Sequence, residues 1–179
     1  MTILTIFEDI GRNAPIEATD DPVRIAEQLA SIGIGFERHP APVVLPPDAD
    51  AAFVMAAYAT TVDQLMHQGG YQSADAVRMV PTASNRREVR EKYLGEHTHS
   101  DDEVRFFVEG SGIFYMHAEG KVVELRNVRG DLIRVPAGAP HWFDAGETPF
   151  FTAIRLFTRP DGWVGAFTGN PITSRFVIP

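Results

Sequence analysis

Six short runs of strand-forming residues follow one another between residues 106 and 157, and turn-forming residues separate each run from the next. The runs read FFVEGSG, IFYMHAEGK, VVELRNVRGD, LIRVPAGAP, HWFDAGETP and FFTAIRLF. Valine, isoleucine and aromatic residues favour strands, and turn formers at this spacing are typical of antiparallel sheets. This half of the chain is therefore predicted to be a sandwich or barrel of antiparallel strands.

The first 94 residues have a mixed pattern. Thr2 to Phe7 is a short strand-forming run. An aspartate pair and Pro22 then provide an N-cap and a first-turn proline for a helix, and Gly33 is its predicted end. A longer helix is predicted over AAFVMAAYATTVDQLMHQ, which has one apolar stripe, and a short charged helix over Arg86 to Leu94. The fold class predicted is mainly β with a helical N-terminal third.

The 179 residues show no break in composition, so the sequence predicts one domain over residues 1–179, with a mixed part at 1–94 and a barrel core at 95–179. A net charge of −8 argues against nucleic acid or an anionic membrane as a partner. The absence of cysteine excludes disulfides and thiolate ligands. The start of the chain has no signal-peptide pattern and no long apolar run, so we expect a cytoplasmic protein. With no heptad repeat, we expect a monomer.

A cluster of histidine and carboxylate stands just before the first strand run, in GEHTHSDDEVRF at residues 95–106. Side chains two apart on a strand share a face, so His97 and His99 are predicted to point together into the barrel. Glu103 and Arg105 have the same parity. Two imidazoles and one carboxylate are a known binding set for non-haem iron or another first-row divalent ion. The alternative is a solvated acidic loop that contains histidine by chance.

A second stretch supports the metal interpretation. GDLIRVPAGAPH runs from Gly130 to His141 and ends in a Pro-Gly turn that suits an inward-pointing histidine. His141 is therefore the fourth predicted ligand, and Phe143 shares its parity and is predicted to line the same cavity. The other histidines have plainer interpretations: a loop position, a helix C-terminus and an exposed strand position for His39, His67 and His117 respectively.

These two stretches resemble the two motifs of the cupin superfamily. The first matches through His97, His99, Glu103 and Gly110, and the second through Gly130, Pro136, Gly138 and His141. The leading glycine of the first motif is displaced to Gly95, and Ala145 replaces the final asparagine of the second. The resemblance implies a cupin double-stranded β-helix, that is, a jelly-roll barrel.

Within the cupins, longer stretches resemble the acireductone dioxygenase family: EKYLGEHTHSDDEVRFFVEGSGIFYMH, VPAGAPHWFDAG, FTAIRLF and GWVGAFTG. The resemblance implies one Fe²⁺ or Ni²⁺ ion per chain, bound by His97, His99, Glu103 and His141. It implies that Arg105 neutralises substrate charge and acts with Glu103 in catalysis. Phe143 and Trp163 would orient the substrate's side chain, although core packing is the alternative for Trp163.

The reaction implied is cleavage of acireductone, a methylthio-substituted enediol, by O₂ in methionine salvage. The iron form would give 4-methylthio-2-oxobutanoate and formate, and the nickel form 3-methylthiopropanoate, formate and carbon monoxide. Two other interpretations stay open at this point. One is another cupin dioxygenase or isomerase with the same ligands, and the other is a non-catalytic cupin that binds small molecules.

Overall fold

The computed structural model describes residues 1–159 and 164–176. In chain order its elements are β1 (Ile3–Glu8), β2 (Glu17–Thr19), α1 (Pro22–Ser31), β3 (Gly35–Arg38), α2 (Ala51–Ala57), α3 (Ala59–Gly69), β4 (Ser73–Met79), α4 (Arg86–Leu94), β5 (His97–His99), β6 (Glu103–Ala118), β7 (Lys121–Val128), β8 (Asp131–Val135), β9 (His141–Asp144), β10 (Phe150–Phe157), β11 (Gly165–Phe167) and the 3₁₀-helix η1 (Pro171–Arg175). The prediction of a mainly β chain with helices in its N-terminal part is confirmed.

The strands form one antiparallel sheet organised around β6. The order is β11-β5-β9-β6-β7-β1-β2, while β10 joins β6 to β4 and β8 joins β6 to β3. The first half of β6 pairs with β8 and β10, and its second half pairs with β7 and β9. The N-terminal part shares this sheet through β1, β3 and β4. The division of one domain at residue 94 stays a prediction.

A β-bulge, and not a turn, lies in the middle of β6. The sequence predicts two strands separated near Gly110, but β6 is a single strand of 16 residues. Opposite it, Thr152 pairs with Glu109 and Ala153 with Phe107, so Val108 is the extra residue of the bulge. Gly110 has φ +67°, a left-handed conformation that glycine adopts without strain. The bulge and the left-handed glycine lie where β6 passes from its pairing with β8 to its pairing with β7 and β9, and β-bulges commonly bend a strand at such a point.

α2 and α3 pack against the outer face of the sheet, whereas α1 contributes Ile25 and Leu29 to the apolar cluster inside it. Asp21 caps α1 as predicted, since its side chain accepts hydrogen bonds from the first turn. The predicted long helix is divided, because Tyr58 leaves helical geometry between α2 and α3 and is buried with its ring against Phe106. α4 has the predicted bounds. Among the described residues, the helices are all too short or too polar to cross a membrane.

Alternation along β6 decides which residues reach the interior. Val104, Phe106 and Val108 belong to the apolar cluster that packs under α2 and α3. Phe107 belongs instead to the cluster inside the sheet. Because successive side chains point to opposite faces, the inward parity of Phe107 also directs Glu103 and Arg105 into the barrel.

Candidate metal centre

Four side chains with metal-ligating atoms converge inside the barrel. They are His97 and His99 of β5, Glu103 at the start of β6 and His141 at the start of β9, and one ligand atom from each lies within 4.8 Å of all the others. The strands are locked in register, since His97 is paired with His141. The chain leaves strand geometry at residues 100–102, but the predicted inward parity is kept on both sides of this break.

Backbone carbonyls fix the orientation of all three imidazoles. The Nδ1 atoms of His97, His99 and His141 lie 2.7, 3.1 and 2.8 Å from the carbonyl oxygens of Gly95, Val164 and Ala139, respectively. A carbonyl can only accept a hydrogen bond, so each Nδ1 carries a proton. The neutral tautomer that results leaves the lone pair on Nε2, which is the atom that faces the cluster.

The donor set fits a divalent cation. Nε2 of His99 and Nε2 of His141 lie 3.2 and 3.1 Å from Oε2 of Glu103. Two donors at about 2.1 Å from one ion, at right angles to each other, are separated by about 3.0 Å. With Nδ1 protonated, the inward-facing nitrogens and the carboxylate all present lone pairs to one another, which is repulsive. A cation placed between them would accept these lone pairs and become ligated.

The buried charges favour the ligating states. Burial opposes ionisation of Glu103, but the positive charge of the adjacent Arg105 guanidinium holds the pKa of this carboxyl well below its usual range. Burial and the neighbouring His141 lower the pKa of His97 to about 4, against the opposite effect of the Gly95 carbonyl. Near neutral pH, Glu103 is therefore an anion and His97 a neutral imidazole.

Arg105 is buried beside the cluster. Its Nη2 donates a hydrogen bond to Oε1 of Glu103. Its guanidinium carbon lies 4.9 Å from the ring centre of Phe114, 5.0 Å from that of Phe143 and 5.7 Å from that of Tyr93. Its Nε has no hydrogen-bond partner in the part of the chain that the structure describes. Arg105 thus keeps a positive charge next to the site, with donor capacity left for a ligand.

The two predicted substrate-orienting aromatics have different outcomes. Phe143 points inward, as predicted, but its ring packs behind Arg105 against Phe114 and Phe151 and is 2% exposed. Phe143 does not line the cavity that opens beside His97 and His99. Trp163 lies outside the described residues.

A cavity of about 170 Å³ opens beside His97 and His99. Its other lining residues are Lys92, Tyr93, Arg155, Val164, Gly165 and Phe167. Sequence reasoning missed Tyr93 and Arg155. Arg155 lies on the same face of β10 as Phe151 and Ala153, which point into the sheet's interior. A single charged residue on the apolar face of FFTAIRLF is therefore the sequence pattern that could have identified Arg155.

The acidic loop between β5 and β6 makes hydrogen bonds to two other parts of the chain. Asp101 is buried and accepts hydrogen bonds from the hydroxyl of Thr158 and from the backbone N–H of Arg159. Asp102 accepts from the N–H of Ala137 at 2.9 Å. The loop thereby ties the start of β6 to the end of β10 and to the turn before His141.

The remaining histidines lie outside the cluster. His67 is exposed in the last turn of α3, as predicted. His39 lies 3.0 Å from a carboxylate oxygen of Glu37. The prediction of an exposed position for His117 is wrong, because its side chain is only 20% exposed and its Nδ1 lies 2.8 Å from the buried carboxylate of Glu96.

The chain is similar to known proteins along its whole length. Residues 3–165 match the model of the ARD/ARD′ family. An acireductone dioxygenase of Parvibaculum lavamentivorans is 52% identical over 98% of this chain and 96% of its own. An acireductone dioxygenase of Granulibacter bethesdensis is 49% identical over 98% of each chain. The solved structure of a Bacillus anthracis acireductone dioxygenase, with a cadmium ion in its active centre, superposes with a TM-score of 0.78 at 29% identity, covering 93% of this chain and 98% of that one. This likeness confirms the predicted cupin-type fold.

Proposed function

The chain belongs to the ARD/ARD′ family, and from this membership and the geometry of the buried cluster we propose how it cleaves acireductone with O₂. The observation that carries the proposal is the convergence of three oriented imidazoles and one carboxylate beside a buried arginine. Membership of this family favours acireductone over the substrates of other cupins and over a purely binding role.

We propose that His97, His99, Glu103 and His141 hold one Fe²⁺ or Ni²⁺ ion per chain. The cadmium in the Bacillus anthracis relative supports a divalent ion at the corresponding centre. A bound ion would supply Lewis acidity towards the enediol oxygens. The same donor set suits iron and nickel, so the choice between the two product sets described above depends on which ion is loaded.

The surrounding residues would bind and orient the substrate. Arg105 is the proposed counter-charge for the deprotonated enediol, because its guanidinium is buried and its Nε is free of protein partners among the described residues. Tyr93, Val164 and Phe167 offer apolar surface to the methylthio chain along the cavity wall. Phe143 would act through Arg105, whose guanidinium it supports, and the role of Trp163 stays a prediction.

The test of this function is the aerobic decay of acireductone, followed by its ultraviolet absorbance. We expect the apo protein to leave the spontaneous rate unchanged and the Fe²⁺-loaded protein to accelerate it. A His67→Ala variant, which changes a histidine outside the site, should behave like the parent. No acceleration by protein shown to contain iron would contradict the function. Product analysis of iron- and nickel-loaded samples would then separate the two product sets.

Replacement of Arg105 should affect turnover more than metal binding. We expect Arg105→Met to lower kcat/KM by about 100-fold or more, in the range seen when one preorganised electrostatic group is removed. Arg105→Lys keeps the charge but loses the planar fork, so its loss should be smaller. Steady-state kinetics on metal-loaded protein, with metal content measured for each sample, tests this. Equal kcat/KM for parent and Arg105→Met would exclude the proposed role.

We also propose, from its acidic charge and lack of cysteine, that the protein acts in the cytoplasm as a monomer without nucleic-acid or membrane partners. Sedimentation at micromolar concentration should give a mass near 19.8 kDa.

A further inference from the structure

A buried glutamate next to the metal centre is not among its ligands. Glu96 immediately precedes His97 and is 4% exposed. Both of its carboxylate oxygens are occupied: Oε1 accepts from the hydroxyl of Thr168 at 2.6 Å, and Oε2 lies 2.8 Å from Nδ1 of His117. Its backbone carbonyl accepts from the N–H of Thr168 at 3.0 Å. The Thr168 hydroxyl also lies 3.4 Å from that carbonyl oxygen, so three hydrogen bonds join Glu96 and Thr168 across 72 residues of sequence.

Thr168 immediately follows the short strand β11, which forms one wall of the metal centre. β11 has three residues and pairs with β5, so that Gly165 is opposite His99 and Phe167 opposite His97. The carbonyl oxygen of Val164, just before β11, is the acceptor for Nδ1 of His99. The ring of Phe167 lies 5.9 Å from that of His97 in an edge arrangement. The position of β11 thus sets the surroundings of two imidazoles.

Among the described residues, Thr168 makes both side-chain and backbone hydrogen bonds that anchor the end of β11. A three-residue edge strand has few ladder hydrogen bonds of its own. Farther along the chain, Ile172 and Phe176 are buried in the apolar cluster with Phe7. Between that cluster and β11, the Thr168 hydroxyl donates a hydrogen bond to the Glu96 carboxylate. Hydrogen bonds to a charged group are stronger than those between neutral groups.

We propose that Glu96 and Thr168 are positioning residues of the metal centre. Their hydrogen bonds hold β11 against β5, and the Val164 carbonyl at its start then fixes the tautomer and ring direction of His99. The proposal rests on the metal site of the proposed function but not on turnover of any substrate. Loss of a partner that orients a ligating histidine commonly weakens metal binding by about 10–100-fold.

Threonine variants give a matched test with Ni²⁺ alone as the probe. Thr168→Val removes the hydroxyl at nearly constant shape, and Thr168→Ser retains it. Thr152→Val is the control, because the buried Thr152 hydroxyl donates to Glu109 at 2.8 Å, a hydrogen bond of the same kind elsewhere in the sheet. Each protein would be titrated with Ni²⁺ by calorimetry, and the imidazole nitrogens of His99 would be followed by ¹⁵N NMR.

We expect Thr168→Val to weaken Ni²⁺ binding by about 10-fold or more and to alter the His99 imidazole signals, with Thr168→Ser within about 3-fold of the parent. Thr152→Val should bind Ni²⁺ like the parent even if it is less stable to heat. If Thr168→Val does not fold, Thr168→Ala replaces it in the same comparison. Parent-like affinity in the Thr168 variant, or an equal loss in Thr152→Val, would overturn the proposal. A parent that binds no Ni²⁺ would instead refute the metal site itself.

Discussion

Glu103→Ala should prevent the protein from retaining metal and should also destabilise the apo fold. Glu103 is a proposed ligand, and its carboxylate also accepts the hydrogen bond from the buried Arg105. Removing one member of a buried ion pair leaves the other charge unpaired, which costs about 3–5 kcal/mol of unfolding free energy. Metal analysis after dialysis and urea denaturation of the apo protein would measure the two effects.

Glu103→Gln is the companion variant, because it keeps the shape and one acceptor oxygen for Arg105 but loses the negative charge. We expect weak metal retention again, with a smaller loss of stability. The pKa of Glu103 is lowered in the folded state, so its ionised form stabilises the fold above the ordinary value of 4.5. This contribution is lost as pH falls below 4.5 towards the folded pKa, and Glu103→Gln should lack that part of the acid sensitivity. Parent-like metal content in Glu103→Ala would contradict the ligand assignment.

Gly110→Ala should destabilise the fold by more than about 3 kcal/mol, among the largest effects of a single added methyl group. A Cβ atom at this position would lie 1.9 Å from the carbonyl oxygen of Phe150, so the β6–β10 pairing would have to separate. The comparison is Gly120→Ala: its φ of +73° is similar, but nothing lies within 4 Å of the added atom. Gly120→Ala should lower the free energy of unfolding by only about 1–2 kcal/mol, which is the cost of holding alanine in a left-handed conformation.

Chemical denaturation of both glycine variants without metal gives the free energy of unfolding of each. The difference between the two losses is the cost of the steric clash at Gly110, because both variants share the cost of a left-handed alanine. Equal losses in the two variants would show that the close approach at Phe150 is not tight. A normal fold in Gly110→Ala would mean that the bulge in β6 can be redistributed along the strand.

The sequence could predict the features that depend on local periodicity. Alternation placed His97, His99, Glu103 and Arg105 on one face, and the structure keeps that face inward across the break at residues 100–102. Capping chemistry located the start of α1 at Asp21. The same local logic failed at Gly110, because a glycine between strand runs is typical of both a turn and a bulge, and only the pairing with β10 distinguishes them.

Other features depend on contacts between distant segments and have no local pattern. The carbonyl that orients His99 comes from a residue 65 positions later, and Thr168 meets Glu96 across 72 positions. The helix predicted across residue 58 is interrupted at Tyr58, whose ring packs against Phe106. The apolar stripe of the helix does not predict this contact. Phe143 had the correct parity, but its place behind Arg105 depends on the surrounding rings.

Because backbone carbonyls orient the three imidazoles, the groups that orient the ligands add no charge to the metal centre. Carboxylates in those three positions would have added negative charge, whereas carbonyls add none. Within the buried set, Glu103 and Arg105 cancel each other, so a divalent ion would leave two positive charges uncompensated. An enediol that has lost both protons carries two negative charges. The ligand set with Arg105 thus becomes electrically neutral only when ion and dianion are both present, a condition that favours the doubly ionised substrate over neutral look-alikes.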